Sequence, residues 1–477
     1  MKERSDIAVI GLGVMGSGIA RNLAGKGYTV SVYNRSPEKT AAFMEQYGSG
    51  DFRSAESPEE LCGQLRTPRK VLLMVKAGDA VDETLQEIVP FLSPGDVLID
   101  GGNSHYQDTE RRLKIAESAE LLYVGCGISG GEEGALNGPA IMPGGSEAAK
   151  DLVMPILLDI CARTQVGEAC CSWMGSGGAG HFVKMVHNGI EYCEMQMICE
   201  IWDLMRRHLG MDTAMCGRTF ARWAQKTSSY LLETAAQVLQ KKDVDGSLLV
   251  DHILDAAAQK GTGAWAVQAG MELGVPVSIL SEAVQARTLS ARKDLRVETA
   301  EKYGKSGYSG EVIAADRRFA VLQQLQDALH AGRILAFAQG FDLLKTASDK
   351  SGWDLNLGEV ALCWRAGCIL RSSLLEDIKQ SYVYDKNLPN LMMSNVMHNL
   401  LLQELPGLKA ACLAALENGI PAPCLTSALQ YSDGMTAKDL PANLLQGMRD
   451  LFGAHTYERT DAPRGEYFHT EWETPEK

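Results

Sequence analysis

Lys184, His187, Asn188 and Glu191 stand in the stretch His181–Tyr192, HFVKMVHNGIEY, at spacings i, i+3, i+4 and i+7. At about 100° per residue these four share one face of a helix, while Phe182, Val183, Val186 and Ile190 fall opposite. An amphipathic helix with a wet charged face would show the same pattern. The residue types point further, to proton transfer. A lysine whose pKa is brought down serves as a base, a glutamate as an acid, and an imidazole and an amide hold a substrate between them. The glycine-rich run Met174–Gly180 just before this stretch lets backbone or ligand come close.

The elements that must position such a face begin at the N-terminus. Ile7–Gly13, IAVIGLG, reads as a buried parallel strand running into a glycine turn, Val14–Lys26 as a helix and Thr29–Arg35 as a second strand. This βαβ unit places Gly11, Gly13 and Gly16 at its first turn as GxGxxG, the pattern that seats a dinucleotide pyrophosphate on a helix N-terminus. An NAD site usually ends the second strand with an acid that grips the ribose 2′-hydroxyl. Here Asn34, Arg35 and Ser36 occupy that place, which favours a 2′-phosphate and hence NADP.

Further strands are expected at Lys70–Lys76, Asp96–Gly102 and Glu120–Val124. The ends of the last two lead into Gly101-Gly102-Asn103-Ser104 and into Ser129-Gly130-Gly131 followed by EEGALNGPAIMPGG. These glycines, beside an Asn and a Ser, suit close backbone contact with a polyol or carboxylate. The expected fold class is therefore an α/β Rossmann-like N-terminal domain, residues 1–178.

Beyond it, helical stretches dominate: 181–209, 213–240, 247–259, 280–297, 314–348, 357–380 and 391–418. They make a large all-α domain over residues 179–440. A faint repeat suggests duplication, since His187-x-Gly189 with Gln196 recurs as His330-x-Gly332 with Gln339. In the second copy Asn188 and Glu191 become Ala331 and Ile334, so a helix scaffold of this kind needs no polar group there. Residues 441–477 form a C-terminal tail that mixes Arg449, His455, Arg459 and Arg464 with Phe452, Tyr457, Phe468 and Trp472, too many aromatics for a disordered end.

The 477 residues suffice for two or three domains, and a net charge of −14 argues against nucleic acid and anionic membranes as general partners. The 12 cysteines form no CxxC pair and no HExxH is present, so no metal site is expected and a reduced, cytoplasmic setting fits. MKERSD leads straight into a strand, which reads as no signal peptide, and no apolar run reaches the ~18 residues of a membrane span.

Taken together, GLGVMG (11–16), NRS (34–36), VKAG (75–78), DGGNS (100–104), ISGGEEGA (128–135), GHFVKMVHNGIEY (180–192), KGTG (260–263) and FGAHTYER (452–459) closely resemble the decarboxylating 6-phosphogluconate dehydrogenases of the pentose phosphate pathway. The resemblance covers nearly the whole chain. It implies NADP bound by Gly11, Leu12, Gly13, Val14, Met15, Gly16, Asn34, Arg35, Ser36, Val75, Lys76 and Ala77, with Asn103 near both nicotinamide and substrate. It implies Lys184 as the base for the 3-hydroxyl and Glu191 as the acid that protonates C1 of the enediol left when CO₂ departs. Asn103, Ser129, Gly130, Gly131, His187 and Asn188 would hold the sugar acid. Tyr192, Lys260, Arg287, Arg449 and His455 would hold its phosphate. The tail would reach the other subunit of a homodimer. The chain departs from the family at Ala264, where a Lys is usual, and at its C-terminal end, HTEWETPEK. Two other readings compete: a non-decarboxylating β-hydroxyacid dehydrogenase, and a non-catalytic NADP-binding regulatory protein.

Overall fold

Seven short strands form one sheet in the computed structural model of the chain, which describes residues 4–48, 51–259, 261–304 and 312–472. They are β1 (Ile7–Ile10), β2 (Val30–Tyr33), β3 (Phe52–Ser54), β4 (Lys70–Leu73), β5 (Val97–Asp100), β6 (Leu122–Ser129) and β7 (Ala140–Gly145). Their order is β3-β2-β1-β4-β5-β6-β7; neighbours run parallel from β3 through β6, and β7 pairs antiparallel with β6. Alternation along each strand feeds two cores. Ile7, Val9, Val30, Val32, Val97 and Ile99 pack on one face with Ile19 and Leu23 of the helix Val14–Gly25. Ala8, Ile10, Val71, Leu73 and Leu98 pack on the other with Val81, Leu85 and Ile88. Burial on both faces is why these strands read as continuous apolar runs.

The edge strands β3 and β7 were not legible in the same way. β3 is only FRS, and β7 lies in the glycine-rich run expected to contact a ligand. That run forms the helix Gly131–Asn137 and the wholly buried strand Ala140–Gly145. Glycines 138, 144 and 145 serve packing: a Cβ on Gly144 would stand 2.8 Å from the backbone N of Gly180. On the paired strand, a Cβ on Gly127 would stand 2.5 Å from Lys184 Cβ. The helix that carries Lys184 thus lies directly on β6 and β7. Gly127→Ala should push that helix away, destabilising the protein by about 1–3 kcal/mol and lowering turnover. Denaturant unfolding and kcat on the same preparation check this, and an unchanged kcat would show that Lys184 tolerates the shift.

The central helix, Ala179–Arg207, runs 29 residues, and the second long helix, Arg318–Ser351, runs 34. They pack against each other, with Gly340 against Ile190 and Gly332 against Met197. The repeated glutamines play matching parts. Gln196 donates to Glu200, whose two oxygens accept the backbone N–H groups of Cys424 and Leu425 at the start of the helix Pro423–Thr436. Gln339 accepts from the backbone N–H of Ile279 at the start of the helix Ser278–Ser290. Ala331 and Ile334 are fully buried in the second copy, so the scaffold does without Asn188 and Glu191.

Several expected helices are shorter than their periodicity suggested. The stretch 213–240 breaks at Ser228, whose φ is +48°. Within 247–259 the only helical turn is Leu249–His252, next to the turn in which Asp245 binds Ser247. The stretch 280–297 breaks at Ala291–Arg292, and 357–380 breaks between Cys363 and Leu374. A helix at Thr262–Leu273 was not anticipated.

The chain forms two compact units, Met1–Leu429 and Gln430–Lys477. In the second, the helix Ala442–Gly453 is followed by a bridge between Tyr457 and Phe468. Asp450 organises it, accepting from the backbone N–H groups of Thr456 and Thr470 and from Trp472 Nε1, with His469 Nδ1 at 2.9 Å. Leu444, Leu445, Met448, Leu451 and Phe452 lie exposed on that helix. No helix among the described residues is long and apolar enough to cross a membrane.

Candidate active site

The polar face of the central helix is not wet. Lys184 is 6% exposed, His187 0% and Asn188 8%, and the Glu191 side chain 16%. His187 Nδ1 lies 3.4 Å from Lys184 Nζ, 3.3 Å from Asn188 Oδ1 and 3.8 Å from Glu191 Oε2, so the imidazole stands among all three. Trp364 meets the ring edge-on at 5.3 Å. One turn earlier, His181 Nδ1 pairs with Thr109 Oγ1 at 2.6 Å, and Phe182 packs on Tyr106, which fixes the start of the helix.

Burial sets the charge of this face. It lowers the Lys184 pKa, against the opposing pull of Glu191. It raises the Glu191 pKa, against Lys184 and Arg287. It drives His187 well below its usual range, helped by Lys184, so the ring is neutral. A lysine made easier to deprotonate and a glutamate made easier to protonate are both shifted in the direction that base and acid work requires.

A cleft beside this face is lined by Asn103, Ser104, His181, Lys184, Met185, Asn188, Thr262 and Trp265. Asn103 sits just past β5, on a loop held by a buried network. Ser104 Oγ donates to Asp100 Oδ2 at 2.6 Å, and fully buried Arg112 donates to Ser104 and to both oxygens of Asp82. Ser104, His181, Met185, Thr262 and Trp265 were missed as site residues in the sequence. DGGNS was the signal for Ser104, GHFVKMVHNGIEY for His181 and Met185, and KGTG for Thr262, whereas Trp265 is brought in only by the helix beginning at Thr262.

Ser129 ends β6, followed by Gly130 and Gly131 at φ +140° and +62°. Ser129 Oγ and His187 Nε2 are among the buried polar atoms with no hydrogen-bond partner among the described residues, and a bound polar molecule could satisfy them. Arg287 stacks on the Tyr192 ring at 3.5 Å, and Gly263 packs on that same ring. Arg287 also acts electrostatically on Glu191, so Tyr192, Arg287 and Glu191 form one neighbourhood. Lys260 lies outside the described residues. Arg449 and His455 belong to the unit Gln430–Lys477, where Arg449 donates to Gln446 and His455 meets Phe452 edge-on.

The glycine turn behaves as its pattern requires. Gly11 adopts φ +96°, and a Cβ on Gly16 would collide with Gly11 O at 1.9 Å, whereas a Cβ on Gly13 would meet nothing within 4 Å. The turn is therefore tight at its first and third glycines and open at its second, where Val14 is 61% exposed. Asn34 Oδ1 accepts from the Leu12 N–H at 3.0 Å, tying the end of β2 to the turn. Arg35 pairs with Glu83 at 2.8 Å, Ser36 is exposed beside it, and Val75, Lys76 and Ala77 follow β4 on the same edge of the sheet, next to β1.

Family models match nearly the whole chain: the NAD binding domain of 6-phosphogluconate dehydrogenase over residues 6–175, and the 6-phosphogluconate dehydrogenase C-terminal domain over residues 180–472. The chain belongs to the 6-phosphogluconate dehydrogenase family. It is 45% identical over 472 residues to the decarboxylating 6-phosphogluconate dehydrogenase of Treponema pallidum, covering 98% of this chain and 97% of that one. It is 44% identical to that of Haemophilus influenzae over 474 residues, with 99% and 97% covered. Among solved structures, Plasmodium falciparum 6-phosphogluconate dehydrogenase superposes with a TM-score of 0.94 at 38% identity, over 98% of this chain and 100% of that one. That enzyme is described free, with NADP⁺ and with 6-phosphogluconate.

Proposed function

We propose that this chain oxidises and decarboxylates 6-phospho-D-gluconate to D-ribulose 5-phosphate and CO₂ with NADP⁺ as acceptor. The observation that carries the reading is the buried face on which Lys184 and Glu191 flank His187, in a chain of this family. Residues 1–178 bind the cofactor, 179–440 carry the substrate site, and 441–477 reach the partner of a homodimer. The exposed apolar side chains of the helix Ala442–Gly453 support that last assignment, since such a surface gains by burial. The cytoplasm is the fitting compartment for an enzyme with 12 cysteines and no disulfide among the described residues.

The residues fit an NADP⁺ cofactor: the second glycine leaves room for pyrophosphate, and Arg35 and Lys76 supply positive charge. When bound, NADP⁺ supplies the hydride acceptor. Neutral Lys184 takes the 3-hydroxyl proton as C3 is oxidised. The resulting 3-keto group accepts the electrons released as the C1 carboxylate departs, and protonated Lys184 stabilises the enolate oxygen. Glu191 then donates its proton to the carbon that bore the carboxylate, C2 of the substrate and C1 of ribulose 5-phosphate. Asn103, Ser129, Gly130, Gly131, His187 and Asn188 orient the sugar acid. Tyr192, Lys260, Arg287, Arg449 and His455 take its phosphate.

The direct test is NADPH formation from 6-phosphogluconate with CO₂ monitored in parallel. NADPH without CO₂, or turnover of 3-hydroxyisobutyrate instead, would place the chain with the non-decarboxylating β-hydroxyacid dehydrogenases. No turnover despite NADP⁺ binding would favour a regulatory role.

Cofactor choice rests on Arg35. Its partner Glu83 is 55% exposed and Arg35 itself 73%, so their contact is worth ~0–1 kcal/mol and yields readily to a 2′-phosphate. Glu83→Gln should tighten NADP⁺ binding by no more than about fivefold. Arg35→Asp should cut the NADP⁺ over NAD⁺ preference in kcat/KM by about a hundredfold, since a charge-assisted contact becomes a repulsion. An unchanged preference in Arg35→Asp would remove Arg35 from the 2′-phosphate site.

A further inference from the structure

The buried face of the central helix is backed by a loop, residues 364–373, between the helices Leu357–Cys363 and Leu374–Tyr384. The loop is built of turns and bends, so contacts with other segments must hold it. Two of its residues touch groups assigned above to the sugar acid. Trp364 is fully buried and meets the His187 ring edge-on at 5.3 Å, while its Nε1 donates to Met142 Sδ of β7 at 3.3 Å. Gly367 O accepts from the Ala140 N–H at 3.0 Å, and a Cβ on Gly130 would stand 2.7 Å from that same oxygen. A shift of this loop therefore reaches His187 and the Ser129-Gly130-Gly131 turn together. Between Trp364 and Gly367, Arg365 ties the loop to two other segments. Its Nη1 lies 2.5 Å from Glu168 Oε2, in the turn that follows the helix Lys150–Ile160, and its Nη2 lies 2.5 Å from Glu376 Oε2 on the helix Leu374–Tyr384. Lys379 takes the other oxygen of Glu168 at 2.5 Å. Glu168 is fixed by its own turn, its N–H donating to Thr164 Oγ1 and its O accepting from the Thr164 N–H. Lys379 and then Arg365 hold its carboxyl below the usual carboxylate range.

We propose that Arg365 is a positioning residue: by bridging Glu168 and Glu376 it locks Trp364 against His187 and Gly367 against Gly130, and so aligns the sugar acid for reaction. The inference rests on the assignment of His187 and the Ser129-Gly130-Gly131 turn to that substrate. Arg365 itself does not line the cleft beside Lys184, so its effect passes through the two residues on either side of it. A guanidinium suits the task, because its planar fork meets two carboxylates at once, whereas an ammonium is a single point of charge. The Arg365 side chain is 17% exposed, which shields both pairs from much of the screening that weakens surface contacts. Without the bridge the loop keeps only its contacts along the sheet, and the indole is free to move off the His187 ring. Misplacement of a reacting group by 1 Å costs on the order of 10²-fold in rate. The glycine turn proposed for the cofactor lies elsewhere, between β1 and the helix Val14–Gly25, so cofactor binding is left alone.

The test is steady-state kinetics on the full-length wild type, Arg365→Leu, Arg365→Lys and Lys379→Met, each with its thermal unfolding curve. Arg365→Leu should lower kcat/KM for 6-phosphogluconate by about 10²-fold, through both a raised KM and a lowered kcat, with the KM for NADP⁺ unchanged. Arg365→Lys reaches one carboxylate and should recover part of that loss. Lys379→Met removes an ion pair from the same Glu168 carboxylate but leaves Arg365 in place, so it should lower Tm without moving either kinetic constant. A merely structural network would lower Tm in all three variants and leave the kinetics of each at wild-type values, and that result would overturn the proposal. Equal losses of kcat/KM in Arg365→Leu and Lys379→Met would overturn the assignment to Arg365. Where Arg365→Leu does not fold, Arg365→Lys and the isosteric Glu168→Gln decide the matter: both should show the same pattern in smaller measure, and wild-type kinetics in both would overturn it. Wild-type protein that does not turn over 6-phosphogluconate would instead refute the proposed function, a failure visible before any variant is made.

Discussion

Lys184→Met is expected to reduce kcat with 6-phosphogluconate by at least the ~10²–10⁴-fold typical of a lost general base, while NADP⁺ binding stays close to wild type. Lys184 lines the cleft with Asn103 and Asn188, and the glycine turn proposed for the cofactor lies elsewhere, between β1 and the helix Val14–Gly25. The pH profile sharpens the test. The base must be neutral, so activity should rise with pH through the lowered pKa of Lys184. The acid must be protonated, so activity should fall as pH rises through the raised pKa of Glu191. The two groups interact, and the limbs report the pair. Glu191→Gln should retain more activity than Lys184→Met, because water substitutes for the acid, and should lose the alkaline limb. Stability should move the other way. Burial depresses the folded pKa of Lys184 below its unfolded value. Its charge therefore costs stability fully below the folded pKa, and that cost fades as pH rises toward the unfolded pKa of about 10.4. Lys184→Met should then be more stable than wild type at neutral pH, by a margin that shrinks as the medium becomes alkaline. A Lys184→Met enzyme with near wild-type turnover would remove Lys184 from the mechanism.

Mixing two inactive variants should restore activity if the tail completes the partner's site. Lys184→Met lacks the base, and Arg449→Ala lacks a permanently charged, bidentate ligand for the phosphate. When subunits exchange, each heterodimer has one site with both defects and one with neither. Random equal mixing makes half the dimers heterodimers, so about a quarter of wild-type activity should return. Truncation before Pro441 should abolish turnover and weaken the dimer while NADP⁺ binding persists. Verified heterodimers that stay inactive would place Arg449 with its own chain's Lys184. Sedimentation measures the dimer, and the rate of NADPH formation the complementation.

The amino-acid sequence by itself determined the local elements and the residue types available for chemistry. A βαβ unit with glycines at 11, 13 and 16, and a helix with Lys184, His187, Asn188 and Glu191 on one side, follow from periods of 2 and 3.6 that need no knowledge of the fold. The cofactor preference was legible too, because one strand end selects it. Tertiary structure decided what those elements face. Periodicity marked the Lys184 side as polar, and polar reads as wet, yet β6 and β7 on one side and Trp364 on the other bury it. The lowered pKa of Lys184 and the raised pKa of Glu191 come from that burial. The glycines of 138–145 looked like a ligand loop because glycine composition is the same whether the approaching atoms belong to a substrate or to a helix. Trp265 joined the cleft only when the helix Thr262–Leu273 formed, and its apolar AWAVQAG run carries no site signal. Spacing along a chain fixes neighbours within one element, while neighbours between elements depend on hydrogen-bond register and on which faces are buried together, and both are settled only when the whole core closes.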